Sequence, residues 1–204
     1  MEKDIDVIKV ITHADGGEEY SKNVSLYPSN KDSVAVKGYG VDENNPENAQ
    51  MQFDAVTKYH GNDGKNQFIQ FMMSFLRETA SDAETAMDIT DKALEPLKDN
   101  HQILIGGHEK HRVKSDYHTH SFVCTTNLET GKMIYPTNKL NYAIAQNVAD
   151  TIQKPVELVI ERKSTSEPYT TQVEKNTFSD VDNNNDGKSN DFIRVFYPRK
   201  TSKD

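Results

Sequence analysis

Four of the seven histidines of this chain fall between residues 108 and 120, in the run HEKHRVKSDYHTH. His118 and His120 stand two apart in a stretch rich in β-formers, Tyr117 to Thr126. Side chains of a strand alternate faces with a period of two, so both imidazoles project from one face. His108 closes the preceding apolar run QILIGGH. If the two strands are neighbours, it reaches the same point. Three neutral imidazoles converging on one point, with a position left open, make a catalytic divalent metal site. Imidazole alone suits Zn, Ni or Cu, and a nearby carboxylate widens the choice toward Mn or Mg. The same residues also read as ordinary strand histidines, with His111 in a loop and His13, His60 and His101 structural or on the surface. Lys110, Arg112 and Lys114 interleave with the histidines. They read either as a solvated loop or as phosphate contacts beside a metal.

The elements that must position these residues follow from periodicity. VIKVIT (7–12), QFIQFMMSF (67–75), QILIGGH (102–108), the stretch 117–126 and PVELVIER (155–162) read as strands. A helix is predicted from Pro46 to about His60, with Ala49, Phe53, Val56 and His60 on one face. Ser81 and Glu84 form a capping box, followed by the stripe Ala83, Ala86, Met87, Thr90, Leu94 and Leu97, which ends near Pro96. Leu140, Ala143, Ile144, Asn147, Val148 and Thr151 share the face of a further helix. Residues 13–45, rich in Gly, Asn, Ser and Asp, read as irregular. Strands and helices intermix, so the class is α/β or α+β. The body runs from 1 to 162. A polar tail spans 163–204, partly irregular, with a late strand over 192–197.

Composition bounds the rest. The chain has 204 residues and a formal net charge of −8, with 24 Lys plus Arg against 32 Asp plus Glu. That length can bury a core. No apolar run reaches the roughly 18 to 20 residues of a membrane-spanning helix, which argues against a membrane partner. The first residues are acidic and lack an apolar core, unlike a secretory signal. Cys124 is the only cysteine, which excludes an internal disulfide framework and a Cys-rich zinc site. A cytosolic, cytoplasmic location follows as the expectation. The acidic balance by itself argues against nucleic acid, which is bound through Lys and Arg. Its distribution argues otherwise. Leu76 to Asn100 holds three basic and seven acidic residues, whereas His108 to Arg162 holds seven basic and six acidic.

The segment IGGHEKHRVKSDYHTHSFVCTTNLETGK resembles the histidine motif of relaxases, the mobilisation nucleases of the HUH endonuclease superfamily. GYGVDENNPENAQMQFDAVTKYHG and QFIQFMMSF resemble the segments that precede this motif in relaxases of Gram-positive mobile elements. KLNYAIAQNVADTIQKPVELVIE resembles the segment after it. The resemblance covers about residues 5–162. It implies a central antiparallel sheet of about five strands flanked by helices, with H-x-H on a central strand. It also implies a divalent metal ion (Mn, Mg or Zn) held by His108, His118 and His120. NVSLYPSNK is similar to the family's early tyrosine region, which implies a nucleophile best matched by Tyr27, with Tyr39 and Tyr20 as alternatives. The implied activity is strand-specific DNA nicking at an origin of transfer, with a 5′-phosphotyrosine link to single-stranded DNA. The implied setting is plasmid or mobile-element mobilisation and conjugation, with accessory mobilisation proteins as further partners. The other function class is a non-catalytic DNA-binding accessory protein that keeps the fold.

The pattern departs from the family at three points. Pro28 follows Tyr27, Lys110 stands where an acidic residue is common, and the stretch from His108 to His118 is long. Glu109 and Asp116 are candidates for groups that orient the ligands or act as base. Within 180–191, Asp182, Asn184, Asp186 and Gly187 fit the early positions of a calcium loop. Ile193 stands where its bidentate carboxylate belongs.

Overall fold

The computed structural model describes residues 5–12, 18–27, 33–109, 117–161 and 192–199. Its elements in chain order are β1 (Asp6–Thr12), α1 (Glu18–Leu26), β2 (Ser33–Tyr39), α2 (Pro46–Tyr59), β3 (Phe68–Phe75), α3 (Ala83–Ala93), α4 (Glu95–Lys98), β4 (Ile103–Glu109), β5 (Tyr117–Cys124), α5 (Asn138–Ile152), β6 (Val156–Glu161) and β7 (Phe192–Phe196). All the strands join one sheet in the order β2-β4-β5-β3-β1-β6-β7. The first five of that order pair antiparallel throughout. β6 then adds parallel to β1, and β7 antiparallel to β6. Among the described residues the sheet therefore has seven strands rather than about five. Its antiparallel part is the five-stranded unit expected, and β5 lies inside it.

Each face of the sheet carries its own core. Ile8, Val10, Phe71, Met73, Ile103, Ile105 and Val123 face α3 and α5, where Ala86, Met87, Ile89, Ile144 and Val148 cover them. On the other face Phe68, Leu104, Phe122 and Cys124 pack with Val24 of α1 and with Ala49 and Phe53 of α2. α2 starts where the sequence predicts, with Asn45 capping the amides of Glu47 and Asn48 and Pro46 in the first turn, where its missing N–H is harmless.

Two local expectations are corrected. The stretch 13–45 is not irregular throughout, because it holds α1 and β2. Both escape periodicity for a physical reason. α1 is a short helix in which Val24 and Ser25 are buried, and β2 is an edge strand that is half-buried along most of its length. The cap of α3 is Asp82, not Ser81. The Asp82 carboxylate accepts the Thr85 amide at 2.7 Å, while the Ser81 hydroxyl donates to Asp82 at 3.0 Å. An ionised acceptor one residue nearer the helix outcompetes the hydroxyl. α3 ends at Ala93, and Pro96 sits in the first turn of α4.

The close approach of α3 to β4 beside His108 depends on Gly107. A Cβ at that position would lie 3.0 Å from Met87 Cγ and 3.1 Å from Met87 Sδ. Gly107→Ala should therefore destabilise the protein by about 1–3 kcal/mol in urea unfolding through overpacking. Met87→Ala should be costly by itself, yet relieve part of the Gly107→Ala loss in the double variant. Strictly additive losses would show that Met87 does not set this spacing.

Candidate active site

The register of three strands assembles the histidines. β4 pairs with β5 so that His108 stands opposite His118 and Gly106 opposite His120. β3 pairs with β5 from the other side, Met72 opposite His120. Between the two β5 histidines, Thr119 points the other way, and its hydroxyl meets that of Thr90 on α3 at 2.7 Å. His118 and His120 thus face away from α3, toward the layer of α1 and α2. Gly106 adds no side chain beside His120, which leaves room on that face.

The three rings are spaced almost equally. Centroids lie 5.4 Å apart for His108 and His118, 5.3 Å for His108 and His120, and 5.2 Å for His118 and His120. Nitrogen ligands about 2.1 Å from a tetrahedral ion place ring centroids roughly 5 Å apart, so the spacing suits one shared ion. As placed, no group of three or more His, Cys, Asp and Glu side chains among the described residues is set to hold a metal ion. The donor chemistry fits all the same. His108 and His120 are buried and His118 is half-buried. Burial, then the proximity of His118 and His108, holds the His120 pKa well below the usual imidazole value. A neutral imidazole is the form that ligates a metal.

Tyr27, at the end of α1, reaches this cluster. Its hydroxyl lies 3.4 Å from His120 Nε2, a long contact. Its ring stands 4.7 Å from that of His120, 5.7 Å from that of His108 and 6.0 Å from that of Phe122. Tyr39 does not come near. It lies on the α3 side of β2, where its hydroxyl donates to Asp91. Lys98 and Lys37 also bind Asp91, at 2.8 and 3.2 Å. Burial pushes the Asp91 carboxyl up, but the hydrogen bonds from Lys98, Tyr39 and Lys37 outweigh it and hold the pKa below normal. Tyr20 belongs to α1, with its side chain outside the described residues. Glu109 adjoins His108, and strand alternation turns it to the opposite face, where Tyr117 donates to it at 3.4 Å. Lys110, Arg112, Lys114, Asp116 and the calcium-loop candidates in 180–191 lie outside the described residues.

Sequence reasoning missed Gln70. It is a buried residue of β3 on the histidine face, and its side-chain amide lies 3.0 Å from His120 Nδ1. The one available signal was a carboxamide in the middle of the apolar run FIQFMM. His101 and His60 serve the fold: the first contacts the Cys124 carbonyl at 2.9 Å and the second the Leu128 carbonyl at 3.2 Å.

A family model described as Relaxase: MobA/VirD2-like, nuclease domain, matches residues 20–158. That span runs from α1 into β6 and holds Tyr27, Gln70 and all three clustered histidines. No curated protein gives a significant match to the chain.

The buried imidazoles make stability depend on pH. Burial holds the pKa values of both His120 and His101 below the ordinary imidazole value. In the unfolded chain they return to about 6.5. Below that pH the unfolded chain binds more protons than the fold, so acid favours unfolding. For the metal-free protein, the urea midpoint should be nearly constant just above about pH 7 and fall as pH drops through the window below about 6.5. His101→Gln should flatten the fall. A midpoint that rises on acidification would contradict the neutral state assigned to these rings.

Proposed function

This chain belongs to the MobA/VirD2-like relaxase nuclease family, and we propose that Tyr27 is the nucleophile with which it nicks one DNA strand at an origin of transfer. The observation that carries this reading is the Tyr27 hydroxyl at 3.4 Å from His120, inside a cluster of three histidines. In the proposed step, the Tyr27 oxygen attacks the scissile phosphorus and the bond from phosphorus to the 3′ oxygen breaks. The 5′ phosphate is left on Tyr27, and the departing 3′ oxygen takes up a proton. The link conserves the phosphodiester bond energy, so the released 3′ hydroxyl can later attack phosphotyrosine and restore the strand.

Tyrosine has a pKa near ~10 and is a weak nucleophile until its proton is drawn away. The His120 ring stands beside the phenol, within reach of its hydroxyl. His108, His118 and His120 would together hold a divalent ion, Mn, Mg or Zn. When bound, such an ion would offset charge developing on the phosphoryl oxygens. Lys110, Arg112 and Lys114, in the link between β4 and β5, would meet the DNA phosphates. Phe122 and Phe53 belong to the small apolar core against which Tyr27 packs. The biological setting of this reading is plasmid or mobile-element mobilisation, with single-stranded DNA and accessory mobilisation proteins as partners. No helix among the described residues is long and apolar enough to cross a membrane.

Nicking of supercoiled plasmid carrying the cognate origin, with Mn or Mg, tests this reading. Tyr27→Phe should abolish the covalent protein–DNA adduct, and His120→Ala should lower nicking by at least about 10³-fold with the fold retained. Tyr39→Phe should keep the adduct and lose only stability, because its hydroxyl serves Asp91. An adduct formed by Tyr27→Phe would sink the assignment of the nucleophile.

A further inference from the structure

An open sheet has two edges, and each presents a row of backbone N–H and C=O groups that another strand could pair with. Here the edges are β2 and β7, and they differ. β2 is guarded. Its register with β4 is broken between Ser33 and Ala35, Lys37 stands in its middle, and the Gly38 amide donates to the Glu43 carboxylate. The turn after β2 closes over Gly38 so tightly that a Cβ there would lie 2.7 Å from the Val41 carbonyl oxygen. Among the described residues β7 carries no such device. It reads FIRVF, with a single charge, and Ile193 and Val195 are 56% and 36% exposed. Tyr197, just past its end, is 68% exposed. The strand is nonetheless well seated. It pairs with β6 from Phe192 to Phe196, and Arg194 lies over the rings of Tyr142 and Phe196. The Asp150 carboxylate of α5 accepts from both the amide and the guanidinium of Arg199. β7 lies beyond the span that the family model matches.

We infer that the outer edge of β7 is an interface for a second copy of this chain, joined by antiparallel pairing of β7 with β7 across a two-fold axis at Val195. Such a contact is isologous, so one strand must complement itself. Side chains alternate between the faces of a strand, and a two-fold normal to the sheet keeps each on its own face. The axis must therefore pass through a residue and not between two. The sequence selects which residue. With the axis at Arg194, two guanidinium groups would stand directly opposite each other, which is destabilising. With the axis at Phe196, Pro198 would enter the ladder opposite Arg194 without an N–H to give. With the axis at Val195, that residue meets its own copy. Ile193 then meets Tyr197 of the partner subunit, and Arg194 meets Phe196 of the partner subunit. Aromatic with β-branched, and cation with ring, are favourable pairs across strands. The pairing also joins the exposed side chains of Ile193 and Val195 into one apolar row. β7 stands four strands from β5, roughly 19 Å at about 4.8 Å per strand, so the histidine clusters lie clear of the axis. A strand of five residues a side makes a small contact, so the dimer is reversible and lost on dilution.

Sedimentation velocity across the micromolar range tests this, together with oxidative cross-linking of cysteine variants. The wild type should move from monomer toward dimer as concentration rises. Val195→Lys sets two ammonium groups face to face on the axis, so it should stay monomeric throughout while unfolding as cooperatively in urea as the wild type. Residues directly opposite in an antiparallel pair have Cα atoms about 4.5–5.5 Å apart, within reach of a disulfide. Val195→Cys should therefore cross-link into a covalent dimer. Ile193→Cys alone should not, because its two copies stand four residues apart along the ladder, about 14 Å. A mixture of Ile193→Cys and Tyr197→Cys should cross-link. The native Cys124 is buried and gives no background. A wild type that stays monomeric, or a dimer that survives Val195→Lys, would overturn the inference. So would a Val195→Cys protein that cross-links no better than Ile193→Cys.

Discussion

Three imidazoles can share one pocket only while none of them is protonated. At the 5.3 Å that separates the rings of His108 and His120, two positive charges repel by about 3 kcal/mol at an effective dielectric near 20. Taking each from water adds a further cost. The fold meets this constraint by burial. His120 lies in the middle of a sheet, between β4 and β3, with aromatic rings at its back. Its lowered pKa is the direct result, and a free nitrogen lone pair is the chemical product. The groups that touch His120 are a carboxamide and a phenol.

The net charge of −8 is spread unevenly along the chain. The densest acidic stretch, Leu76 to Asn100, builds α3 and α4. α3 packs on the face opposite the histidines, as the contact of Thr90 with Thr119 demonstrates. Within α3, Asp91 is paired with Lys37 and Lys98.

What the sequence disclosed and what it hid divide along the range of the interactions. The two-residue period of β5 placed His118 and His120 on one face without any tertiary information. His108 needed only the pairing of two strands consecutive along the chain. Tyr27 was named by resemblance rather than by pattern, and three tyrosines competed for the role. Strand alternation in β2 then put Tyr39 among the ions on the far side. Gln70 was hidden because its partner is 50 residues away and its own strand reads simply as apolar. β2 was hidden because a half-buried edge strand imprints no alternation, and α1 because it is short and polar. The Asp82 cap was mistaken by one position, since two adjacent side chains can both serve. The sheet outgrew five strands because β6 and β7 continue it beyond the antiparallel unit.

The two halves of the site are held with unequal strength. The histidines stand on β4 and β5, strands with ladder partners on both sides and a large apolar core beneath. Tyr27 hangs from the end of α1, a short helix whose buried anchor is Val24 in the smaller core against α2. Elements with few buried apolar groups open at low free-energy cost, whereas central strands open only when the whole domain unfolds. The imidazoles are therefore the rigid reference, and the phenol is the part that can adjust. That is the arrangement which the strand transfer proposed for Tyr27 calls for. In that step the oxygen would approach phosphorus, and in its reversal be displaced from it along the same line. A ligand set that moved with it would lose its neutral, desolvated pocket each time. Placing the phenol on a lightly anchored helix, against a fixed wall of rings, lets one atom move while the charge balance of the pocket stays as the sheet has set it.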